Sequence, residues 1–482
     1  MKKKSKVVIL GGGPSGLFCG WELAEKGYEV ILIEKENRCG GLCVTNEHNG
    51  FRFDLGGHRF ISPEMYIIER IKSILKDELL LQERKSVIRL KGKEFKYPIN
   101  LTDALFKLEA GNALGIVKDA FHKVFNGHRG ASDSLEQWFI NSFGQTLYSV
   151  IFEPYNEKLW GVHPGSMSSE WARQRISALN IKTIISKLLN MRKEKERTYS
   201  RQYLYPKEGI GAIFTAMAKN IKDKGGEILS DSVPLGLSLT DNLVRGVHLS
   251  CGGKTRFEEC GYLVSTIPLH DLVKLFPALQ AGSDINKWLD NLKYRSLRFM
   301  NIMINKERIS ENTWQYVPER ECIFTRIQEP KARSPYMAPP GKTSLMLEIP
   351  CDKGDNICKM EDAALFKRVL KDLRRTGIVV KDEDVLGYFS TSAGNAYPVY
   401  SLDYKQYRDK VINSLLDNSG NLVICGRQGS FSYLFMDFAM SAGKKAAEYI
   451  DDPSGLSRFD IANVMNYSGL IETKSLTDNM SI

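Results

Sequence analysis

The sequence predicts an α/β protein in which a discontinuous, Rossmann-like dinucleotide-binding domain is combined with a mixed helical and antiparallel-sheet substrate domain. A short apolar strand at 6–10 runs into the glycine turn GGGPSG and then into a helix over 17–26. A second apolar strand at 29–33 completes a βαβ start. Two later apolar strands, near 262–266 and 421–425, resemble returning pieces of the same sheet.

The predicted domain boundaries follow from these returning strands. The dinucleotide-binding domain is predicted to comprise three stretches of the chain, 1–90, 201–270 and 386–452. Helical periodicity dominates residues 91–200, which form a predicted helical cap on the substrate side, and residues 271–385 are rich in strands. The final residues, 453–482, are polar and contain Gly and Ser, which predicts a polar C-terminal tail.

Length and composition limit the classes of protein to which this chain can belong. The chain has 482 residues, of which 43% are hydrophobic and 26% charged, as is typical of a globular protein with more than one domain. No apolar run reaches the length of a membrane span and no signal-peptide core follows Met1, so a cytoplasmic location is predicted. The nine cysteines are an odd number without a CxxC pair, which argues against a disulfide framework and against a metal site.

The net charge of +10 favours an anionic partner. No basic stretch is interleaved with aromatic residues, so nucleic acid is not an expected partner. A peripheral membrane contact stays open, because residues 182–191 could form an amphipathic surface helix. The sequence leaves the oligomeric state undetermined.

The glycine turn carries the first functional motif. Gly11, Gly13 and Gly16 fit G-x-G-x-x-G, in which the glycines permit a tight turn, a close approach of pyrophosphate and close helix packing. Glu34 ends the next strand at the spacing that suits a ribose hydroxyl. The alternative is a glycine-rich turn that binds nothing, but the strand before it and the helix after it favour a dinucleotide.

The residues after Glu34 distinguish FAD from NAD. Arg38-Cys39-Gly40-Gly41-Leu42 resembles the E-x-x-x-R-x-G-G extension of FAD proteins in the glutathione-reductase-like superfamily, which includes amine oxidases. This resemblance implies FAD as the cofactor. The residues it implies for FAD binding are Gly11, Gly13, Pro14, Ser15, Gly16, Glu34, Lys35, Arg38, Gly40, Gly41, Leu42, Gly56, Gly57, His58, Val233, Gly426, Arg427, Ser432 and Tyr433.

The stretch DLGGHRFI, residues 54–61, is a poor core strand because paired glycines weaken a strand. By analogy with that superfamily, Gly56 and Gly57 are expected where the backbone meets the flavin ring, with His58 near its reactive face. The alternative is that His58 is a loop histidine satisfied by neighbouring groups.

Further motifs suggest a particular family. In order along the chain come PYNEKLW at 154–160, WARQR at 171–175, YPKEG at 205–209 and GRQGSFSY at 426–433. Together with DLGGHRF they resemble the UDP-galactopyranose mutase family, and its eukaryotic-type members most. The resemblance implies that the N5 atom of reduced flavin attacks the anomeric carbon of a nucleotide-sugar and interconverts its ring forms, with NAD(P)H as a possible reductant and a role in cell-surface polysaccharide biosynthesis.

The family's substrate contacts map onto this sequence. Arg175 and Arg326 match two arginines that grip the pyrophosphate from opposite sides of a cleft, and the implied catalytic set is His58, Arg175, Arg326 and Arg427. Surface ion pairs are the alternative role for these arginines. Trp314 and Tyr316 share one face of a strand by its period of two. The expected substrate-binding residues are Tyr97, Asn156, Trp160, Arg175, Trp314, Tyr316, Arg326, Tyr397, Tyr433 and Asp437.

The sequence departs from the family at 434–439, where LFMDFA replaces an Asn-Gln-Asp-His stretch. The sugar is therefore less determined than the flavin. A second hypothesis is an FAD-dependent oxidoreductase of the amine oxidase or protoporphyrinogen oxidase type, which takes hydride from an amine, a tetrapyrrole or a lipid-like substrate. A third is a flavoprotein without catalysis, in which the substrate-side motifs would have no purpose.

Overall fold

A computed structural model describes residues 5–99, 101–126, 132–174, 202–282 and 284–464 of the chain. The predicted α/β class and the discontinuous nucleotide sheet are both confirmed. One sheet is parallel and its strands come from five separate parts of the chain, in the order Leu422–Ile424, Tyr262–Ser265, Lys6–Leu10, Glu29–Ile33 and Glu227–Leu229. Four of these strands are short, mostly apolar and largely buried, as is typical of parallel strands with covered faces, and the edge strand Glu227–Leu229 begins with an exposed glutamate.

Each face of the parallel sheet packs on its own hydrophobic core. One core is formed with four helices, Pro14–Glu25, Met65–Leu75, Gly211–Asp223 and Met436–Asp451. The other core contains an antiparallel meander of three strands, Ser232–Thr240, Leu243–Cys251 and Lys254–Glu259. It also contains the helices Leu269–Lys274, Ile285–Leu289 and Tyr404–Asp417.

The second large sheet has seven strands and is mostly antiparallel. Its order is Val385–Pro398, Tyr294–Ile304, Thr343–Cys351, Arg326–Gln328, Trp314–Tyr316, Ser86–Leu90 and Lys93–Lys96. The helix Asp362–Arg375 covers part of one face through a core of buried aliphatic side chains. The single parallel pair joins Trp314–Tyr316 to Ser86–Leu90, and this pairing attaches the early hairpin to the later strands.

A group of helices adjoins the seven-stranded sheet. They are Leu101–Lys107, Ala110–Asn126, Leu135–Phe143, Gln145–Leu147, the π-helix Tyr148–Phe152, Glu153–Trp160 and Glu170–Arg173. The chain also forms two small antiparallel pairs. Thr45–His48 pairs with Phe51–Asp54, and Leu79–Glu83 pairs with Gln202–Pro206. The remaining short helices are Lys76–Glu78, Pro164–Ser166, Pro277–Gly282, Pro330–Ala332, Pro335–Met337, Asn356–Lys359, Asp382–Asp384, Pro453–Gly455 and Arg458–Ala462.

Sheet pairing moves two of the predicted boundaries. The limits at 90 and 386 assigned Ser86–Leu90 and most of Val385–Pro398 to the nucleotide domain. Both strands instead pair within the seven-stranded sheet, where Val385–Pro398 forms a long ladder with Tyr294–Ile304. Hydrogen-bonded pairing, which local periodicity does not reveal, therefore decides their place. The division into cofactor and substrate domains stays a prediction.

Some predicted features lie outside the described residues. They are the surface helix expected at 182–191 and most of the polar tail, since the description ends at residue 464. Within the described ranges, no helix has both the length and the apolar character needed to cross a bilayer.

Close helix packing generates a stability prediction. A Cβ added at Gly443 would overlap the carbonyl oxygen of Ser15, because the helices that carry these residues touch backbone to backbone. We expect Gly443→Ala to lower the free energy of unfolding by roughly 1–3 kcal/mol through overpacking. The matched control is the helical Gly111, where a Cβ meets nothing within 4 Å, so Gly111→Ala should stabilise by up to about 1 kcal/mol.

Thermal unfolding of the two purified variants, followed by circular dichroism, measures the difference. Equal melting temperatures for both variants would contradict the close contact at Gly443.

Candidate active site

The glycine turn forms a cradle at the start of the Pro14–Glu25 helix. Gly11 has φ +99°, a conformation that favours glycine, and a Cβ at Gly16 would overlap the Gly11 carbonyl oxygen. A Cβ at Gly13 would meet nothing within 4 Å. The turn is therefore closed on the protein side and open at Gly13, where the helix N-terminus offers backbone N–H groups to a phosphate.

Glu34 is held beside this turn at the end of the second parallel strand. Its carboxylate accepts hydrogen bonds from the N–H groups of Gly12, at 2.7 Å, and Glu36, at 2.9 Å. Burial raises the pKa of the Glu34 carboxyl, while the two N–H donors favour its ionised form. Ser232 donates its N–H to the Glu34 carbonyl oxygen at 2.9 Å. The next residue, Val233, therefore lies close to the end of this strand, and it is exposed.

The segment 426–432 returns to the same helix. Gly426 has φ +85°, and a Cβ there would lie 2.7 Å from the Ser15 hydroxyl. A Cβ at Gly429 would overlap the Cys425 carbonyl oxygen, and the buried Ser432 directly precedes Tyr433, which lines the cavity described below. The predicted motif GRxGSxxY therefore lies against the glycine turn, 400 or more positions away in sequence.

This arrangement fits FAD. The open backbone at Gly13, the carboxylate at the second strand end and the close approach of Gly41, whose Cβ would lie 3.2 Å from the Gly13 Cα, form one continuous cradle. Two predicted residues are directed elsewhere. Arg38 donates to the Thr45 carbonyl oxygen at 2.8 Å, and Lys35 is exposed. Their contacts with the cofactor stay predictions, as do those of Pro14 and Gly40.

A cavity of about 490 Å³ lies next to this cradle. Thirteen of the predicted site residues line it, although they come from seven separate parts of the chain. They are Leu42, Gly56, Gly57, His58, Tyr97, Asn156, Trp314, Tyr316, Arg326, Tyr397, Arg427, Tyr433 and Asp437. Arg175 lies outside the described residues, so its place in the cleft stays a prediction.

The GGH loop is packed against the seven-stranded sheet. A Cβ at Gly57 would overlap the indole of Trp314 and lie 2.8 Å from the Gln328 side-chain oxygen. Trp314 thus provides a reason for glycine at 57 that the sequence did not show. Gly56 has φ +104°, a conformation that favours glycine, and it forms part of the cavity wall.

His58 lines the cavity, but its ring nitrogens contact protein groups. Nε2 lies 3.2 Å from the Leu55 carbonyl oxygen and Nδ1 lies 4.0 Å from the Cys43 sulfur. Burial lowers the pKa of the His58 imidazole, so the ring is neutral at pH 7. A neutral ring that donates from Nε2 to Leu55 leaves Nδ1 to accept from the Cys43 thiol.

Arg326 projects from its strand into the cavity between two partners. Its guanidinium forms an ion pair with the fully buried Glu348 and donates to the Tyr397 hydroxyl at 2.5 Å. Glu348 also accepts from the Gly57 N–H at 3.1 Å and from the Gln328 side-chain amide. One carboxylate therefore holds both the arginine and the GGH loop in position.

The predicted aromatic residues form two stacked pairs. Tyr97 and Tyr316 stack with ring centroids 4.6 Å apart, and Tyr397 and Tyr433 stack at 5.0 Å. Trp160, predicted to contact substrate, does not line the cavity: it is buried behind the second pair, edge-on to both rings. Its geometry is that of a support for the two tyrosines.

Asn156 and Asp437 line the cavity as buried polar groups. Asn156 donates to the Phe152 carbonyl oxygen at 2.7 Å and accepts from the Trp160 indole N–H at 3.3 Å, so its amide is largely satisfied within the helix. Burial raises the pKa of the Asp437 carboxyl to about 7, even though neighbouring backbone N–H groups favour the ionised form. Asp437 can therefore hold or release a proton near neutral pH.

Sequence reasoning missed several residues of the site. Arg59 and Arg84 line the cavity, the second with its guanidinium 4.5 Å from the centroid of the Tyr97 ring, and Tyr155 lies edge-on to Tyr316. Arg59 directly follows the GGH triplet, so its position could have been noticed. Arg84 and Glu348 belong to no local motif; the tertiary structure places Arg84 in the cavity lining and Glu348 in contact with the lining residues Arg326 and Gly57.

Several known proteins are similar to most of this chain in sequence or in structure. Protoporphyrinogen oxidase 1, chloroplastic, of Arabidopsis thaliana is 24% identical over 428 residues, which are 79% of this chain and 75% of that protein. The structure of reduced UDP-galactopyranose mutase superposes with a TM-score of 0.84 at 20% identity, covering 98% of this chain and 99% of the mutase chain. Putrescine oxidase bound to putrescine gives a TM-score of 0.61 at 15% identity, with coverages of 93% and 99%. At these identities the structural matches show a shared fold.

A family model adds the cofactor class. The model of the flavin containing amine oxidoreductases matches residues 14–451, which is most of the chain. The cradle built by Gly11, Gly13, Gly16 and Glu34 fits the FAD that such a family binds. The chain therefore belongs to the flavin containing amine oxidoreductase family and is an FAD-dependent enzyme.

Proposed function

We propose that the protein acts on a nucleotide-sugar and interconverts its ring forms, as a UDP-galactopyranose mutase does. The observation that carries this proposal is the charge of the cavity wall, where four arginines face a single acidic lining residue. These arginines are Arg59, Arg84, Arg326 and Arg427, and the acid is Asp437. A diphosphate carries two negative charges, and planar guanidinium groups bind its oxygens in pairs.

The stacked tyrosines support the same proposal. Tyr97 and Tyr316 form one stacked pair, and the Arg84 guanidinium lies over Tyr97. A flat, amphipathic wall of this kind suits a nucleobase or a sugar ring. The second pair, Tyr397 and Tyr433, lies near Arg326 and Arg427, with the Arg427 guanidinium 4.6 Å from the centroid of the Tyr433 ring. Aromatic and cationic groups therefore occur together around both pairs.

Each protein group has a defined task in this proposal. Arg326 and Arg427 hold the leaving diphosphate, and they are positioned by Glu348 and by the Leu434 carbonyl oxygen, which accepts from Arg427 Nε at 2.9 Å. Arg175 is proposed to complete the grip. His58 stays neutral beside the cofactor, and Asp437 can hold a proton for a sugar hydroxyl. When bound, FAD supplies the nucleophilic or redox chemistry; its active reduced form and NAD(P)H as the reductant belong to this proposal.

A second candidate is net oxidation of an amine, tetrapyrrole or lipid-like substrate. Two observations favour it: the similarity to a plant protoporphyrinogen oxidase, and the apolar side of the cavity formed by Ile61, Met65 and Phe435. A substrate with carboxylate groups could use some of the same arginines. The two candidates differ in redox balance, because isomerisation leaves the substrate's mass unchanged and oxidation removes two hydrogens.

The redox balance gives the first prediction of function. We expect the dithionite-reduced protein, kept anaerobic and given a panel of nucleotide-sugars, to yield a product of unchanged mass and new retention time. Liquid chromatography with mass detection measures it, and oxidised protein is the control. A product lighter by two hydrogens that forms only with oxidised protein would favour the second candidate, and absence of any nucleotide-sugar product would contradict the first.

Diphosphate binding gives a second prediction. Arg326→Lys keeps the positive charge beside Glu348 but removes the fork that binds two oxygens, so UDP binding should weaken by about 2 kcal/mol, or about thirtyfold in Kd. Isothermal titration with UDP measures the change. The exposed Arg320, which pairs with Glu157 on the surface, provides the matched control Arg320→Lys, which should bind UDP like the parent. Equal affinities in all three proteins would remove Arg326 from the binding site.

The Asp437 carboxyl gives a third prediction. Its pKa of about 7 lies above the value of about 4 in an unfolded chain, so the folded protein retains a proton that the unfolded chain releases. This stabilising contribution is present below about pH 4 and is lost as the pH rises to about 7. Asp437→Asn should therefore flatten the decline in stability between these limits.

Urea unfolding at several pH values measures the Asp437 effect, and Asp417→Asn at an exposed helix end is the control. The turnover profile of the parent should also change near pH 7, and that change should be absent from Asp437→Asn. A variant whose stability depends on pH as the parent's does would show that the carboxyl titrates normally.

A further inference from the structure

Two cysteine thiols meet outside the cavity. Cys351 ends the strand Thr343–Cys351 and is fully buried, and Cys358 lies half-buried in the short helix Asn356–Lys359. Their sulfurs are 2.7 Å apart. Neither residue lines the cavity, and neither belongs to a motif of the cofactor cradle. All nine cysteines lie within the described residues as free thiols, and this pair is in direct sulfur contact.

Asp355 folds the loop that joins the two cysteines. One of its carboxylate oxygens accepts the Cys358 N–H at 2.6 Å, and the other accepts the Asp352 N–H at 2.7 Å. The Asp355 N–H in turn donates to the Asp352 carbonyl oxygen at 3.0 Å. The six residues between the cysteines are thus already closed into a turn, so little chain entropy remains to be lost if the sulfurs bond.

Two arginines of the neighbouring strand hold both ends of this loop. Arg298 donates to the Ile357 carbonyl oxygen at 2.9 Å, and it also donates to that of Met360. Arg295 forms an ion pair with Asp352 at 2.5 Å. Cys351 itself is fixed by the sheet, opposite Ser296. The contact between the two thiols is therefore imposed by surrounding polar contacts and does not depend on the thiols themselves.

Asp355 could make this cluster a metal site, since its oxygens lie within ligand reach of both sulfurs. The local contacts argue against that. Both oxygens already accept backbone N–H groups, and the positively charged Arg295 lies near Cys351. A cation there would compete with a guanidinium and with two hydrogen bonds. A disulfide bond between the two sulfurs would leave both the Arg295 guanidinium and the two hydrogen bonds of Asp355 in place.

We propose that Cys351 and Cys358 are a thiol–disulfide site that exchanges with small-molecule disulfides such as glutathione disulfide. The half-buried Cys358 thiolate attacks one sulfur of the small disulfide and releases one thiol. The Cys351 thiolate then attacks the Cys358 sulfur of this mixed disulfide and releases the second thiol. The two cysteines lose two protons and two electrons, and the small disulfide takes them up as two thiols.

Burial determines the order of the two attacks. Burial raises the pKa of the Cys351 thiol, with the neighbouring Cys358 adding to the effect, so Cys351 is the weaker nucleophile and attacks second, on the mixed disulfide that is in contact with it. Cys358 is the sulfur that a solvent molecule can reach. The site is independent of the proposed function, because it requires neither a nucleotide-sugar nor the flavin.

Tryptic cleavage provides a direct test on the full-length, FAD-loaded protein. Lys342, Lys353 and Lys359 place the two cysteines on separate peptides, 343–353 and 354–359. After incubation with excess glutathione disulfide, alkylation and digestion, mass spectrometry should find these peptides linked, with a mass lower than the sum of the two thiol peptides by two hydrogens. Excess reduced glutathione should restore both alkylated peptides.

Variants and metal analysis complete the test. Cys358→Ser should abolish the linked pair and leave Cys351 alkylated, whereas Cys251→Ser, a half-buried cysteine on another sheet, should leave the linked pair unchanged. No linkage in excess glutathione disulfide would overturn the proposal. So would glutathione retained on Cys358 without transfer to Cys351, or zinc that survives gel filtration in the parent and is lost in Cys358→Ser.

Discussion

Backbone contact at glycine is the constraint on which the cofactor region depends. Gly16 meets the Gly11 carbonyl, Gly443 meets the Ser15 carbonyl and Gly429 meets the Cys425 carbonyl, each more closely than any side chain would allow. These contacts bring the first helix, the last strand and the last long helix together at one point. Phosphate binding uses the same closeness, because a glycine without a Cβ lets backbone N–H groups approach a pyrophosphate. The same close backbone contacts therefore hold the separate segments of the fold together and shape the cofactor cradle.

A buried carboxylate holds two parts of the cavity wall together. Glu348 binds the Gly57 N–H from the GGH loop and the Arg326 guanidinium from the neighbouring strand. An isolated buried charge would be costly, but here hydrogen bonds and an opposite charge compensate it. Removal of any one partner would leave the others under-satisfied. The GGH loop and the cavity-lining Arg326 are thus held at a fixed separation.

The cavity combines features that could serve more than one chemistry. Its arginines suit an anion, and its stacked tyrosines suit a planar ring, while Ile61 and Met65 give it an apolar side. The solved structures that share this fold include a UDP-galactopyranose mutase and a putrescine oxidase bound to putrescine, so the fold alone does not select the reaction. The groups that line the cavity select the reaction, and among the described residues they include four arginines and one acid, Asp437.

The sequence by itself determined what short-range patterns encode: the glycine turn, Glu34, the apolar parallel strands and the shared face of Trp314 and Tyr316. These features depend on spacing within one or two elements. The tertiary structure decided which strands pair, that Val385–Pro398 joins the second sheet, and that Trp160 supports the cavity from behind. It also decided the role of Glu348, whose partner Gly57 lies 291 positions earlier. Such contacts depend on sheet register and on the packing of distant segments. A buried charge must be compensated by the groups that lie beside it in the folded protein, and these groups can be far away in the sequence.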